Sequence, residues 1–279
     1  MRTKLIKMDY KESVKKIREE LSTYIRQNQI QSLVMGISGG IDSTLCALLA
    51  KPVCDELGIP LIGRSLPASS NSGGENSRAK EIGEFFCTQF KEVSIEEEFT
   101  SMYNLVCENS LEDSDNPDIL KGNIKARIRM ILLYDIAGGT KGMVLSTDNY
   151  TELMLGFWTL HGDVGDYGMI QNLWKTEVYE MAEWIAYNEG FDTHAIVDSI
   201  LEVLEADATD GLGISKTDLD QILPGWEGGS RDGYKLVDLR LQTHFVSGVG
   251  DLDDPVLQRY YRTQFKRLNP VNIPRDRIT

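Results

Sequence analysis

The sequence predicts an α/β fold, a doubly wound parallel sheet flanked by helices, with a mainly helical C-terminal part. Three observations carry that expectation. Short apolar runs of strand length alternate with segments of helical periodicity between Ser32 and Thr147. The runs are separated by crossover-length segments, as parallel pairing requires. The first run ends in a Gly-rich turn that passes directly into a helix, which opens a βα unit. Right-handed crossovers then place helices on both faces of the sheet.

Taken in order, Tyr10, Val14, Ile17, Leu21, Tyr24 and Ile25 recur at helical spacing, with Lys11, Glu12, Lys15, Lys16 and Glu19 on the opposite face, so the chain opens with an amphipathic helix. Ser32 to Ile37 reads as a buried strand, followed by a helix from about Asp42 to Leu57. A second strand covers Pro60 to Leu66, and a Ser/Asn/Gly loop through Gly74 leads to a helix carrying Ile82, Phe85 and Phe86. A third strand is expected from Phe90 to Ile95 and a helix from Phe99 to Glu108. An acidic loop, Leu111 to Asp118, precedes a long, partly basic helix from Ile119 to Ala137. Gly142 to Thr147 supplies the fourth strand. Beyond Asp148 a Gly- and Asp-rich stretch, Gly156 to Gly168, is followed by a helix at Trp174 to Tyr187 and further helical segments. Pro224 to Gly233 reads as a surface loop, and Asn269 to Thr279 as an extended tail.

Composition narrows the function classes. Hydrophobic residues make up 41% and charged residues 26% of 279, ordinary values for a folded chain with a sizeable core. A formal charge of −14 without a basic run argues against a nucleic-acid partner. No stretch approaches the about 20 apolar residues that span a bilayer, and the N-terminus lacks a signal-like apolar region, so a cytoplasmic protein is expected. Cys46, Cys54, Cys87 and Cys107 form no C-x-x-C pair and are expected as reduced packing thiols.

The chemistry concentrates in Gly36-Ile37-Ser38-Gly39-Gly40-Ile41-Asp42-Ser43. A strand ending here and passing into a helix gathers backbone N–H groups at a helix N-terminus, which suits an anion. Gly39 and Gly40 let the backbone approach an oxyanion, and Ser38 and Ser43 add hydroxyl donors. An acidic Asp42 beside a polyphosphate suits Mg²⁺ rather than phosphate itself. On local physics alone the same residues could simply turn the chain and cap a helix. Neither the dinucleotide fingerprint nor the Walker pattern is present.

Ser38 to Thr44 resembles the SGGxDS loop of the N-type ATP pyrophosphatases, enzymes that adenylate an oxygen and release pyrophosphate. Gly122-Asn123-Ile124-Lys125-Ala126-Arg127-Ile128-Arg129-Met130 resembles the GN[IV]KARxRM helix of ammonia-dependent NAD synthetases. Ser146 to Glu152 is similar to that family's GTDxxxE, Gly156 to Asp163 to its GFFTxxGD, and Leu212 to Leu223 to its LG[IV][ST]YxxIDxxL. The resemblance implies an adenine nucleotide alpha hydrolase-like fold, with an ATP pyrophosphatase domain over residues 1–223 and a C-terminal extension over 224–279 packed on it. It implies amidation of deamido-NAD to NAD with ammonia and ATP, through an acyl-adenylate. Carried over residue by residue, Gly36 to Ser43, Thr147 and Lys175 contact ATP, with Arg64 and Ser199 as further candidates. Arg127, Asp166, Phe265 and Lys266 fall at deamido-NAD positions. Asp42 and Glu152 bind Mg²⁺, and Asp42, Lys175 and Asp163 are the catalytic candidates.

Two departures stand out against the family pattern. Leu160 occupies a position where many members carry a Lys that touches deamido-NAD, and the family's C-terminal His-Lys pair appears as Phe265-Lys266, so Lys266 could keep its role while Phe265 cannot donate the same hydrogen bond. Trp226 to Asp254 matches no family motif. The chain has no room for a nitrilase-type glutaminase domain, so free ammonia or a separate subunit is the expected nitrogen source. The resemblance also implies a homodimer, with the helix from Asn123 to Ala137 at or near the interface and the substrate bound across it. Open alternatives are another amidating or thiolating pyrophosphatase, a divergent member acting on another carboxylate, and a non-catalytic adenine-nucleotide-binding module.

Overall fold

The computed structural model describes residues 8–109, 116–248, 250–251 and 253–278. Helix α1 (Tyr10–Asn28) starts where the Asp9 carboxylate accepts from the Glu12 amide and buries Val14, Leu21 and Ile25. The alternating part follows as β1 (Ser32–Gly36), α2 (Ile41–Leu57), β2 (Leu61–Ser65), α3 (Gly73–Phe86), β3 (Gln89–Glu92), α4 (Glu96–Glu108), α5 (Pro117–Thr140) and β4 (Gly142–Ser146). After α6 (Tyr150–Leu155), a two-residue strand β5 (Tyr167–Gly168) completes the sheet. The rest is helical: α7 (Lys175–Asn188), α8 (His194–Glu205), α9 (Asp218–Ile222), α10 (Ser230–Ser247), α11 (Pro255–Arg262) and α12 (Gln264–Arg267).

The strands run parallel in the order β3-β2-β1-β4-β5. Successive side chains of a strand point to opposite faces, and the chain uses both. Val34, Ile62 and Val144 face α5, where Leu133, Tyr134 and Ala137 cover them. Leu33, Met35, Leu61, Met143 and Leu145 face the larger core built with α1, α2, α3, α7 and α8. The predicted doubly wound sheet is therefore present. Its order reverses between β1 and β4, and ligands of open α/β sheets bind in the crevice beyond the strand ends at such a point.

Several local expectations need correction. The third strand ends at Glu92; Val93 and Ile95 continue its course only through single amide bonds to Ser65 and Pro67 carbonyls. The Gly-rich stretch after Asp148 hides β5, too short to show a period. Ser230 to Gly233 belongs to α10, not to a loop, and α10 gives structure to the unmatched segment from Trp226 to Asp254. Tyr234, Val237 and Leu241 of that helix join Leu155, Leu219, Ile222, Val256 and Leu257 in a second core. Cys107 is exposed on α4 rather than packed. Most of the acidic loop expected from Leu111 lies outside the described residues.

Candidate active site

The loop between β1 and α2 owes its shape to Gly39. Its φ is +79°, and a Cβ there would lie 2.4 Å from the Glu75 carbonyl oxygen and 2.8 Å from the Ala79 amide, so α3 packs against bare backbone. Arg78 of α3 donates from Nε to the Gly39 carbonyl at 3.2 Å. Ser38 and Ser43 hydroxyls lie 3.1 Å apart, and Ser43 donates to the Gly40 carbonyl. Gly40 is the N-cap of α2 with no side-chain cap bond, so Asp42 does not cap this helix. The first-turn amides keep their donors for another acceptor.

Asp42 is instead part of a charged knot. Lys175 Nζ, on a side chain buried at 1% exposure, donates to Asp42 Oδ2 at 2.5 Å and to Glu152 Oε1 at 2.9 Å. Asn149 donates from Nδ2 to Asp42 Oδ1 at 2.8 Å and caps α6, with the Glu152 carboxylate returning to its amide. Lys175 lies at the first position of α7, and β4 delivers Asn149 and Glu152 through α6. Three residues far apart in sequence are thus brought to one point by the ends of β1 and β4 and the start of α7.

Electrostatics follow from two carboxylates sharing one ammonium. Burial, then the charge of Asp42, pushes Glu152 up to about 8, against the opposing pull of Lys175. Burial alone would lower the Lys175 ammonium, but Asp42 and Glu152 outweigh it and raise it well above its ordinary value. Asp148, 7% exposed and bonded by the Ser146 hydroxyl at 2.7 Å, is pushed up to about 7 by burial and by Asp163. Asp163 accepts from the Thr159 amide at 2.8 Å; it opens to solvent through the cavity, yet the protein around it desolvates and raises it.

A cavity of about 450 Å³ joins these parts. Its walls include the expected residues Gly36 to Ser43, Arg64, Thr147, Glu152, Asp163, Lys175 and Lys266. Four expected residues do not line it. The Ser199 hydroxyl donates to Glu81 at 2.7 Å and ties α8 to α3. Arg127 is exposed on α5 and donates to the Leu160 carbonyl at 3.3 Å. Asp166 accepts from the Tyr134 hydroxyl at 2.8 Å and from the Val144 amide at 3.1 Å, at the edge of the sheet. Phe265 is 54% exposed.

Further residues shape the site. Asp148 lines the cavity within a quoted motif but received no role. Asp238 of α10, 2% exposed, accepts from Thr151 Oγ1 at 2.5 Å and from the Thr176 amide at 2.9 Å, while Thr151 Oγ1 accepts from the Lys175 amide at 2.9 Å. Tyr234 lies one turn away, its ring 5.1 Å from Lys175 Nζ. The signal was an Asp inside the apolar stripe Tyr234, Val237, Leu241. Arg129 is a strut, donating to the Leu66 carbonyl, Asn71 and the Gly211 carbonyl.

Asp42 and Glu152 are hard oxygen donors converging on one cationic atom, and a divalent ion with one or two carboxylates plus substrate phosphates is how Mg²⁺ is commonly held. The residues fit the ion. Among the described residues no group of three or more His, Cys, Asp or Glu forms an all-protein metal site.

The chain matches the NAD synthase family over residues 13–270. It is 31% identical over 252 residues to the NH(3)-dependent NAD(+) synthetase of Pelodictyon phaeoclathratiforme, covering 88% of this chain and 83% of the relative. It is 33% identical over 216 residues to that of Thermoplasma acidophilum, covering 77% and 79%. Among solved structures, the NMN synthetase of Francisella tularensis superposes with a TM-score of 0.73 at 25% identity, over 96% of this chain and 99% of the other.

Proposed function

The chain belongs to the NAD synthase family, and from that premise we propose an ATP-dependent ligase that amidates deamido-NAD to NAD with ammonia, releasing AMP and pyrophosphate. The observation that carries the reading is the convergence of Asp42, Glu152 and Lys175 beside the uncapped start of α2, at the point where the sheet order reverses.

The nicotinate carboxylate oxygen attacks the α-phosphorus of ATP, the bond to the bridging oxygen breaks, and pyrophosphate leaves. Ammonia then adds to the acyl carbon of the adenylate and AMP leaves with the oxygen. No protein nucleophile is needed, so the work is positioning and charge stabilisation. The amides at the start of α2 and the Ser38 and Ser43 hydroxyls hold the leaving phosphates, and Lys175 turns its ammonium toward them. Asp42 and Glu152 would hold Mg²⁺, which when bound supplies neutralisation of phosphate charge. Asp163 and Asp148, both raised by burial, stand beside the cavity as acceptors for the proton that ammonium must lose.

A homodimer through α5 supports the substrate sites that this chain alone does not complete. Ile119, Leu120 and Ile131 of α5 are 41%, 49% and 56% exposed, and Arg127 is exposed on the same helix. The acceptor would straddle that interface, which accounts for Arg127 and Asp166 lying outside the cavity of one protomer. Residues 224–279 form an extension of the same unit, since α10 and α11 share a core with α6 and α9. The cytoplasm suits an ATP consumer with free thiols; no described helix is long and apolar enough to cross a membrane.

A second reading, amidation of nicotinate mononucleotide, draws on the NMN synthetase likeness and on Leu160 and Phe265. Pyrophosphate release and amide product, measured with ATP, Mg²⁺ and ammonium chloride against each acceptor, separates the two. NAD formed with stoichiometric pyrophosphate from deamido-NAD is the expected result; turnover of the mononucleotide alone would replace the first reading with the second.

A further inference from the structure

Helices α11 and α12 carry four cations, Arg259, Arg262, Lys266 and Arg267, against the chain that leaves α6. Three of them are committed to its carbonyls. Arg259 donates from Nε to the Leu155 carbonyl at 3.1 Å, with its guanidinium 4.8 Å from the Phe157 ring. Lys266 Nζ donates to the Gly156 carbonyl at 2.7 Å and to the Trp158 carbonyl, and lies 5.4 Å from the Trp158 ring. Arg267 donates to the Met154 carbonyl and to the Tyr260 carbonyl. These bonds satisfy acceptors at and just beyond the C-terminal end of a short helix, which otherwise has few partners.

Arg262 differs from the other three. It lies one turn before Lys266, exposed at the wall of the cavity, and has neither a hydrogen bond nor an ion pair among the described residues. Arg259, the adjacent cation, likewise has no ion pair there; after burial, the Arg262 charge is the next cause that lowers its guanidinium to about 10. Arg259 and Arg262 are like charges on one helix face with no ion pair among the described residues; Asp218 offsets part of the field at Arg259, and an anion in the cavity would offset more. Meanwhile Phe265 turns to solvent at 54% exposure, so it contributes no donor to the cavity wall.

We propose that Arg262 is the residue that grips a phosphate of the pyridine-nucleotide acceptor, and that Lys266 is a strut for the loop after α6. This rests on the reading of the chain as a ligase acting on such an acceptor. The guanidinium supplies a planar pair of donors for phosphate oxygens.

The test compares Arg262→Ala, Arg262→Lys and Lys266→Met with the wild-type enzyme, reading KM for deamido-NAD and for ATP, kcat, thermal midpoint, and acceptor binding by calorimetry without ATP. Arg262→Ala is expected to raise the acceptor KM and calorimetric Kd roughly 10- to 100-fold, the loss of one charged hydrogen-bonded contact, with ATP KM and thermal midpoint unchanged. Arg262→Lys recovers part of that loss as a point charge. Lys266→Met is expected to lower the thermal midpoint and kcat together. A wild type that turns over deamido-NAD while Arg262→Ala keeps the acceptor KM within about twofold overturns the inference alone. A wild type that neither binds nor amidates a pyridine nucleotide overturns the functional reading and the inference with it.

Discussion

Lys175 is the residue on which the site depends, because a fully buried ammonium holds two carboxylates that repel each other. Removing it by Lys175→Met leaves Asp42 and Glu152 uncompensated, a change that costs roughly 3–5 kcal/mol when a buried pair is broken. We expect a lower thermal midpoint as well as kcat reduced about 10²–10³-fold, and partial recovery of the midpoint, without activity, in Lys175→Met/Glu152→Gln. Calorimetric melting of the two variants checks this. Asp218 offers a second residue-level prediction. Burial lifts its carboxyl to about 6, against the pull of Lys175 and the Tyr234 hydroxyl at 3.0 Å. Between its ordinary value and about 6 the folded chain holds a proton that the unfolded chain has released, so folding stability falls as pH rises through that window. Urea unfolding from pH 4 to 7 should show Asp218→Asn losing that decline relative to the wild type.

At the scale of elements, α10 is the unexpected contributor. Its Asp238 bonds both Thr151 in α6 and the Thr176 amide in α7, the two helices that carry Glu152 and Lys175. Asp238→Asn keeps the shape and weakens these contacts. We expect kcat to fall on the order of 10-fold while the KM for ATP stays within about twofold, a split that steady-state kinetics reads directly. The elements of the alternating part were legible from their period and turn chemistry: β1, α2, β2 and β4 lie close to where apolar runs and glycines place them. Those that escaped were β5, with two residues and no period, and α10, whose N-terminus sits inside a Gly-rich run that reads as a turn until the apolar stripe beyond it is packed.

At the scale of the whole molecule, the cavity takes in Gly36 to Ser43 and Lys175 but leaves Arg127 and Asp166 outside it. Ile131, in the middle of α5 and 56% accessible, falls on the face proposed for the dimer interface. Ile131→Asp should shift the protein from dimer to monomer in sedimentation velocity and raise the acceptor KM more than the ATP KM. A variant that remains dimeric with wild-type kinetics removes α5 from the interface.

The sequence by itself determined the sheet and the Gly-rich loop between β1 and α2, because both depend on local grammar: strand period, crossover length, and glycines where backbone must pass close to α3. It also pointed to Asp42 and Glu152 through the motifs that contain them, and to Lys175 through the family resemblance alone. Only the tertiary structure decided that these three share one buried point, that the Ser199 hydroxyl meets Glu81 across a helix contact, and that Lys266 holds a loop while Arg262 stays uncommitted. Those outcomes depend on which side chains meet across long separations in the chain, and on how burial and neighbouring charge divide a few cations among carbonyls and carboxylates. Such competition is settled by packing, and no spacing along the sequence encodes it.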